Sequence, residues 1–370
     1  MSPVRFVALG DSLTEGVGDP TGDGWRGWAA LLADGLGAGP GAPVRFTNLA
    51  VSGAQTRDVL ERQLPAALGL RPEVAAVLVG VNDTLRRTFD IHAVAARLDR
   101  VYSALAGQGA VLLTACLPDP GDVLGRVRKV PSSARRAGPA ASGACSRRAG
   151  RTPAYWPYSG VRPVRRWGPL PRERSRAWGS VPGVGGLGVP PPGEGLCGHG
   201  LGLPGALGRP LARRQQAVNT VVHALSERYG AVHLHAAEGA WVTDRALWSA
   251  DRLHPGERGH RQLALRFHAL LAEAGLARGA APSAEPEFPV PTRAASLRWL
   301  ATAGTGWVLR RCTDLLPNLL TLAADEVRHR ARGTSAHLDL RASAAVSAAL
   351  AAVTVPERGA RRRGAATGVA

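Results

Sequence analysis

The chain has 370 residues, 45% of them apolar and 20% charged, and a formal net charge of +18. That length suits about two to three ordinary domains, and four cysteines at 116, 145, 197 and 312, with no C-x-x-C pair, argue against a zinc site and against a dense disulfide framework. No apolar run approaches the ~18 residues of a membrane span, and Met1 leads into VRFVALGD without the zones of a secretory leader, so a soluble, cytoplasmic protein is expected.

In chain order, strands are predicted at VRFVALGD (4–11), VRFTNLAV (44–51), VAAVLVGVND (74–83), AVLLTACLP (110–118) and AVHLHAAE (231–238). Their apolar, β-branched runs are those of strands buried on both faces. Between them, apolar residues at three- and four-residue spacing predict helices at 25–36, 56–68, 91–105 and 213–229, with another at 257–276. Trp25 and Trp28, one turn apart, read as core. Alternation of this kind implies right-handed βαβ units and a parallel sheet covered on both sides. The expected fold is therefore α/β, in three layers, with the ligand site beyond the carboxyl ends of the strands.

Residues 122–202 follow neither period and carry +11 of the net charge, from 14 basic and three acidic side chains. Rich in Arg, Gly and Pro, this stretch is expected to be a disordered insertion within a discontinuous domain of 1–121 and 203–278. Its G-V-G-G-L-G at 183–188 matches a dinucleotide fingerprint only formally, because no strand precedes it and VPPPG cannot open a helix. The arginines, with Tyr155, Trp156, Tyr158 and Trp167, could bind nucleic acid or an acidic surface. A solvated segment is the preferred reading, so no nucleic-acid partner is expected.

A Pro-rich linker at 279–293 leads to a helical extension, 294–354, and a basic tail, 355–370, expected to be disordered. Within the extension, 296–311 and 313–330 read as amphipathic helices packed on the main domain or on each other. Trp299 and Trp307, with Arg298, Arg310 and Arg311 outside, leave peripheral membrane contact through 296–330 as the alternative. No motif specifies an oligomeric state.

The chemistry-bearing residues begin with Ser12, in G-D-S-L-T-E-G just after the first strand. Alone, the tripeptide is weak, since serine is a common helix cap. A serine nucleophile needs a base, and the base needs an orienting group. S-A-D-R-L-H-P at 249–255 supplies both, with Asp251 three residues before His254. Acyl transfer also needs donors for the developing oxyanion. The candidates are the N–H groups of Ser12 and of Gly53 in NLAVSGAQT, and the side-chain amide of Asn82 in GVND. Asp11 and Asp83, beside these positions, are expected to fix local loops. His233 and His235 share a strand face, but no third metal ligand is apparent and a polar strand end is the preferred reading; no metal and no cofactor is expected.

GDSL, NLAVSGA, GVND and DRLHP, in that order, resemble the four motifs of the SGNH, or GDSL, hydrolase family. The resemblance covers about 1–121 and 203–276. It falls on Ser12, Gly53, Asn82 and His254, with Asp251 in place of the family's acid. It implies a flavodoxin-like α/β/α fold and a metal-independent serine esterase or lipase acting on a small-molecule or lipid-like acyl ester. The insertion at 122–202 departs from the family pattern. If it prevented folding, the loop at 251–254 would not reach Ser12, and the chain would be a damaged or non-catalytic relative whose basic insertion binds nucleic acid or an acidic partner.

Overall fold

The computed structural model describes residues 3–22, 24–37, 44–118, 205–237, 240–251, 253–299, 301–302 and 315–354. The whole of 122–202, with its fingerprint match and its aromatic residues, lies outside the described residues, as do Trp307, Arg310, Arg311 and the basic tail.

Five parallel strands form the central sheet: β1 (Val4–Gly10), β4 (Val44–Asn48), β5 (Val74–Leu78), β6 (Val111–Cys116) and β7 (Val232–His235). Their spatial order is β4-β1-β5-β6-β7, which is the flavodoxin-like 2-1-3-4-5 arrangement. The expected α/β/α class and all five predicted strands are found, with shorter ends. Alternation explains the double burial. Phe6 and Ala8 face one helical layer and Val7 and Leu9 the other, while Val74, Ala76 and Leu78 alternate in the same way with Ala75 and Val77.

On the first face lie α2 (Gly27–Gly35) and α9 (Glu257–Glu273). They meet through Trp28, which stacks on Phe267 at 4.8 Å between ring centres. The opposite face carries α3 (Thr56–Asp58), a π-helical turn (Val59–Gln63), α4 (Leu64–Leu70), α6 (Ile91–Gly107) and α7 (Gly205–Arg228). Val94, Leu98, Val101 and Leu105 repeat at helical spacing along α6 and are all buried.

Trp25 corrects one expectation. It belongs to a two-stranded hairpin, β2 (Pro20–Thr21) and β3 (Gly24–Trp25), and is 46% exposed, whereas Trp28 is fully buried. Gly27 interrupts the run with φ 71, so the helix begins after Arg26 and the two indoles do not share a face.

The Pro-rich stretch after α9 is pinned to the domain. Glu287 pairs with Arg26 at 2.5 Å and with Arg261 at 2.7 Å, and Glu257 accepts from the backbone N–H groups of Glu287 and Phe288. Beyond it come α10 (Arg293–Trp299), α11 (Leu315–Ala331) and α12 (Ser335–Thr354). Both long helices pack on the sheet's helical layer, α11 against α7 and α12 against α6 and α7. Val346 and Ala349 complete that core, and the buried Glu326 pairs with Arg213 at 3.3 Å. Among the described residues no helix is long and apolar enough to cross a membrane.

The two tryptophans separate by experiment. Trp28→Ala should cost about 3–5 kcal/mol in denaturant unfolding, and Trp25→Ala no more than about 0.5 kcal/mol.

Candidate active site

Three strand ends and one loop converge on Ser12. Strand β1 stops at Gly10, with φ 150, where a Cβ would lie 2.2 Å from the Leu78 carbonyl oxygen, so no other residue fits without moving β5. Gln63, from the π-helical turn, clamps that strand end. It accepts from the Gly10 N–H at 2.8 Å and donates to the Gly10 carbonyl at 2.9 Å. Asp11 then caps α1 (Ser12–Glu15), accepting from the Leu13 N–H at 3.1 Å. Ser12 opens that helix, so its N–H has no acceptor within it.

The loop after β7 brings the other half. A short helix, α8 (Ala240–Thr243), and a 3₁₀ turn (Arg245–Leu247) lead to Trp248, which is buried, stacks on Trp241 and donates to the Val242 carbonyl at 3.1 Å. Trp248 also bridges Pro255, and Ser249 N–H donates to the His254 carbonyl at 3.0 Å, closing the loop on itself. Gly18, with φ 104, lets the β1–α2 connection press on this loop; a Cβ there would sit 2.0 Å from the Pro255 oxygen.

Within this frame His254 Nε2 lies 2.8 Å from Ser12 Oγ, and His254 Nδ1 lies 2.6 Å from Asp251 Oδ2. The other Asp251 oxygen accepts from the Ser249 hydroxyl and from the N–H groups of Leu253 and His254. Burial would raise the Asp251 carboxyl, but the hydrogen bond and charge of His254, with those other donors, outweigh it and hold the group below its ordinary value. It is thus an anion aimed at one imidazole nitrogen, while the other nitrogen faces the serine. Such an arrangement can draw a proton from the hydroxyl and stabilise the imidazolium that results.

Gly53, with φ 83, lies beyond β4, and among the described residues its N–H has no protein acceptor. Asn82, in the first turn of α5 (Val81–Thr84), spends its amide donors on the Ala54 carbonyl at 3.1 Å and on Asp11 Oδ2 at 3.3 Å. Asp83 fixes the loops, as expected, by accepting from both the N–H and hydroxyl of Thr56. Asp11 does the same for Leu13, yet burial also pushes its carboxyl up to about 6, against the opposing effects of the Leu13 N–H and His254.

Residues 8–155 match the model of the GDSL-like Lipase/Acylhydrolase family, a span that holds Ser12, Gly53 and Asn82 and ends before Asp251 and His254. The chain is thus similar to that family over 148 of its 370 residues. It is a serine hydrolase of ester bonds. Among solved structures the hydrolase is similar to Axe2, an acetylxylan esterase from Geobacillus stearothermophilus, with 16% identity, a TM-score of 0.40, and coverage of 74% of this chain and 95% of that one. A lipase/acylhydrolase from Enterococcus faecalis matches with 14% identity, TM-score 0.43, and coverage of 75% and 100%. LAE5, an alpha/beta hydrolase enzyme from the metagenome of Lake Arreo, Spain, matches with 18% identity, TM-score 0.42, and coverage of 74% and 95%. No curated protein matches the chain.

Two residues that support the hydrolase's site carried no signal in the sequence reading. Gln63 looks like one polar position of an amphipathic helix. His260, on α9, accepts from the Trp28 N–H at 3.2 Å through Nδ1 and donates from Nε2 to the Val17 carbonyl at 3.0 Å, which ties the Ser12 loop to the helix that follows His254. Burial, the largest influence, lowers its imidazole to about 4 and keeps it neutral for that pairing. A different expectation is corrected at the sheet edge: a third metal-ligating residue does lie beside His233 and His235, because β6 brings Cys116 to them.

Gln63→Leu should leave the buried Gly10 N–H unpaired, while the Gly10 carbonyl keeps the Val51 N–H at 3.2 Å, at about 1–3 kcal/mol, read as a lowered denaturation midpoint together with a lowered kcat. Asp11 gives a pH test. Between about pH 4 and 6 the unfolded chain has released this proton while the folded chain keeps it, so its contribution to stability falls as pH rises through that window and then levels off. Asp11→Asn should remove that fall, gaining about 3 kcal/mol relative to the parent between pH 3.5 and 7; denaturant titrations of both chains at each pH measure it.

Proposed function

We propose that the protein hydrolyses carboxylic esters through an acyl-enzyme on Ser12, without a metal in the reaction. The observation that carries this reading is the continuous hydrogen-bonded chain from Ser12 Oγ through His254 to Asp251, at 2.8 and 2.6 Å. As Ser12 Oγ attacks the acyl carbon, His254 Nε2 takes its proton and then passes it to the leaving alkoxide. Asp251 holds the tautomer with Nδ1 protonated and stabilises the imidazolium. Water next attacks the acyl-serine, with His254 again as base, and releases the carboxylic acid and free Ser12.

The tetrahedral oxyanion is held by the N–H groups of Ser12 and Gly53 and by the amide of Asn82. For Asn82 to take part, one of its present bonds is surrendered. The longer one, to Asp11, is the one to yield, since the growing charge on the substrate oxygen is the stronger acceptor at close range.

Short-chain p-nitrophenyl esters test the assignment. Ser12→Ala should lower kcat by at least about 10⁴-fold and Asn82→Ala by about 10²–10³-fold, with the far-ultraviolet dichroism of both variants unchanged. Hydrolysis that survives Ser12→Ala at the parent rate would refute the mechanism.

A further inference from the structure

Parallel pairing of β6 with β7 sets Thr114 opposite His233 and Cys116 opposite His235. Alternate residues of a strand share a face, so these four project together toward α7, which adds His223, Ser226 and Asn219. Sγ of Cys116 and one ring nitrogen from each of His233 and His235 all lie within 4.8 Å of one another. A tetrahedral ion bonded at about 2.1 Å to nitrogen and 2.3 Å to sulfur holds its donors about 3.3–3.6 Å apart. Cys116 Sγ and His233 Nε2 are already 3.1 Å apart, so small side-chain adjustments assemble the set.

A hydrogen-bond relay fixes which nitrogen of His233 is available. Ser226 donates its hydroxyl to the Val222 carbonyl at 2.6 Å, so at 2.7 Å it accepts from Thr114. The Thr114 hydroxyl proton is thereby used, and Thr114 Oγ1 accepts at 2.9 Å from His233 Nδ1–H. Nε2 is left with its lone pair facing the Cys116 thiol. An orienting partner on the far nitrogen is the arrangement metal-bound histidines carry. The three imidazoles of His223, His233 and His235 also crowd one another, with ring centres 4.9–5.2 Å apart.

We propose that Cys116, His233 and His235 form a binding site for a transition-metal ion of the zinc class, with His223 or water completing the shell. Thiolate and imidazole donors select such ions over magnesium and calcium, which take oxygen. On binding, the Cys116 S–H bond breaks, its proton passes to solvent and the sulfur–metal bond forms, with no change of oxidation state. The site is built on β6 and the edge strand β7, with β5 between it and β1, so it is separate from the ester-cleaving residues. Its effect is to tie the edge strand to β6 and α7.

Cobalt titration of the full, chelator-stripped chain tests this. The expected result is one equivalent of Co²⁺ bound with a thiolate-to-cobalt charge-transfer band in the near ultraviolet, displaced by Zn²⁺ and untouched by millimolar Mg²⁺. Cys116→Ser should abolish the band. His235→Ala, at an exposed position that a fold tolerates, should weaken binding by at least about 100-fold, more than the 10–100-fold typical of losing an orienting partner. It should also cancel the rise in Tm that Zn²⁺ gives the parent. Absence of the band in the parent, or a band and affinity unchanged in both variants, would overturn the proposal. Ester hydrolysis by stripped His235→Ala, measured alongside at the parent rate, shows that the variant is folded and that the metal site stands or falls apart from Ser12.

Discussion

The backbone contact at the end of β1 is the constraint on which the site rests. Because Gly10 has no side chain, β1 and β5 approach until a Cβ on one would overlap the other's carbonyl. That approach brings the segments after β1 and β5, and with them Ser12 and Asn82, to the same edge of the sheet. Gln63 bonds both backbone groups of that glycine, whose carbonyl also accepts from the Val51 N–H. A larger residue at position 10 would have to displace the strand end that carries Ser12, the proposed nucleophile.

Two carboxyl groups near Ser12 show how environment divides similar residues. Asp251 is met by a histidine, a hydroxyl and two backbone N–H groups, and stays ionised. Asp11 is buried with fewer donors and is pushed up to about 6. The first suits a permanent partner for an imidazolium. The second, which loses most of its charge below pH 6, bonds Asn82, where a full negative charge would oppose the proposed oxyanion.

The three inner strands, β1, β5 and β6, were legible because they are buried on both faces and so read as continuous apolar runs. Ser12, Asp251 and His254 were legible because the proposed hydroxyl nucleophile constrains residue type so tightly that the motifs stand out even with Ser12 and His254 242 positions apart. The supporting residues follow other rules. Gln63 and His260 act through groups distant in sequence, and a single polar residue in a helix looks the same whether it meets water or a buried glycine. Trp25 misled because helical spacing continued through Gly27, whose φ of 71 ends the periodicity without changing the apolar pattern. The Ala-rich run at 335–354 forms one helix whose weak amphipathic pattern gave no sign of the layer it covers. Cys116 escaped attention beside His233 because only strand register, which no local pattern reports, makes them neighbours.

The packing of α12 on α6 and α7 has a consequence for how the molecule is made. A face built from residues near 100 and 220 is closed by residues near 346, so its apolar surface stays open during synthesis until more than a hundred further residues have emerged. Contacts of such long range are slow to form, and surface of this kind is what chaperones bind while a chain is incomplete. Among the described residues, α12 is the element whose arrival completes that face.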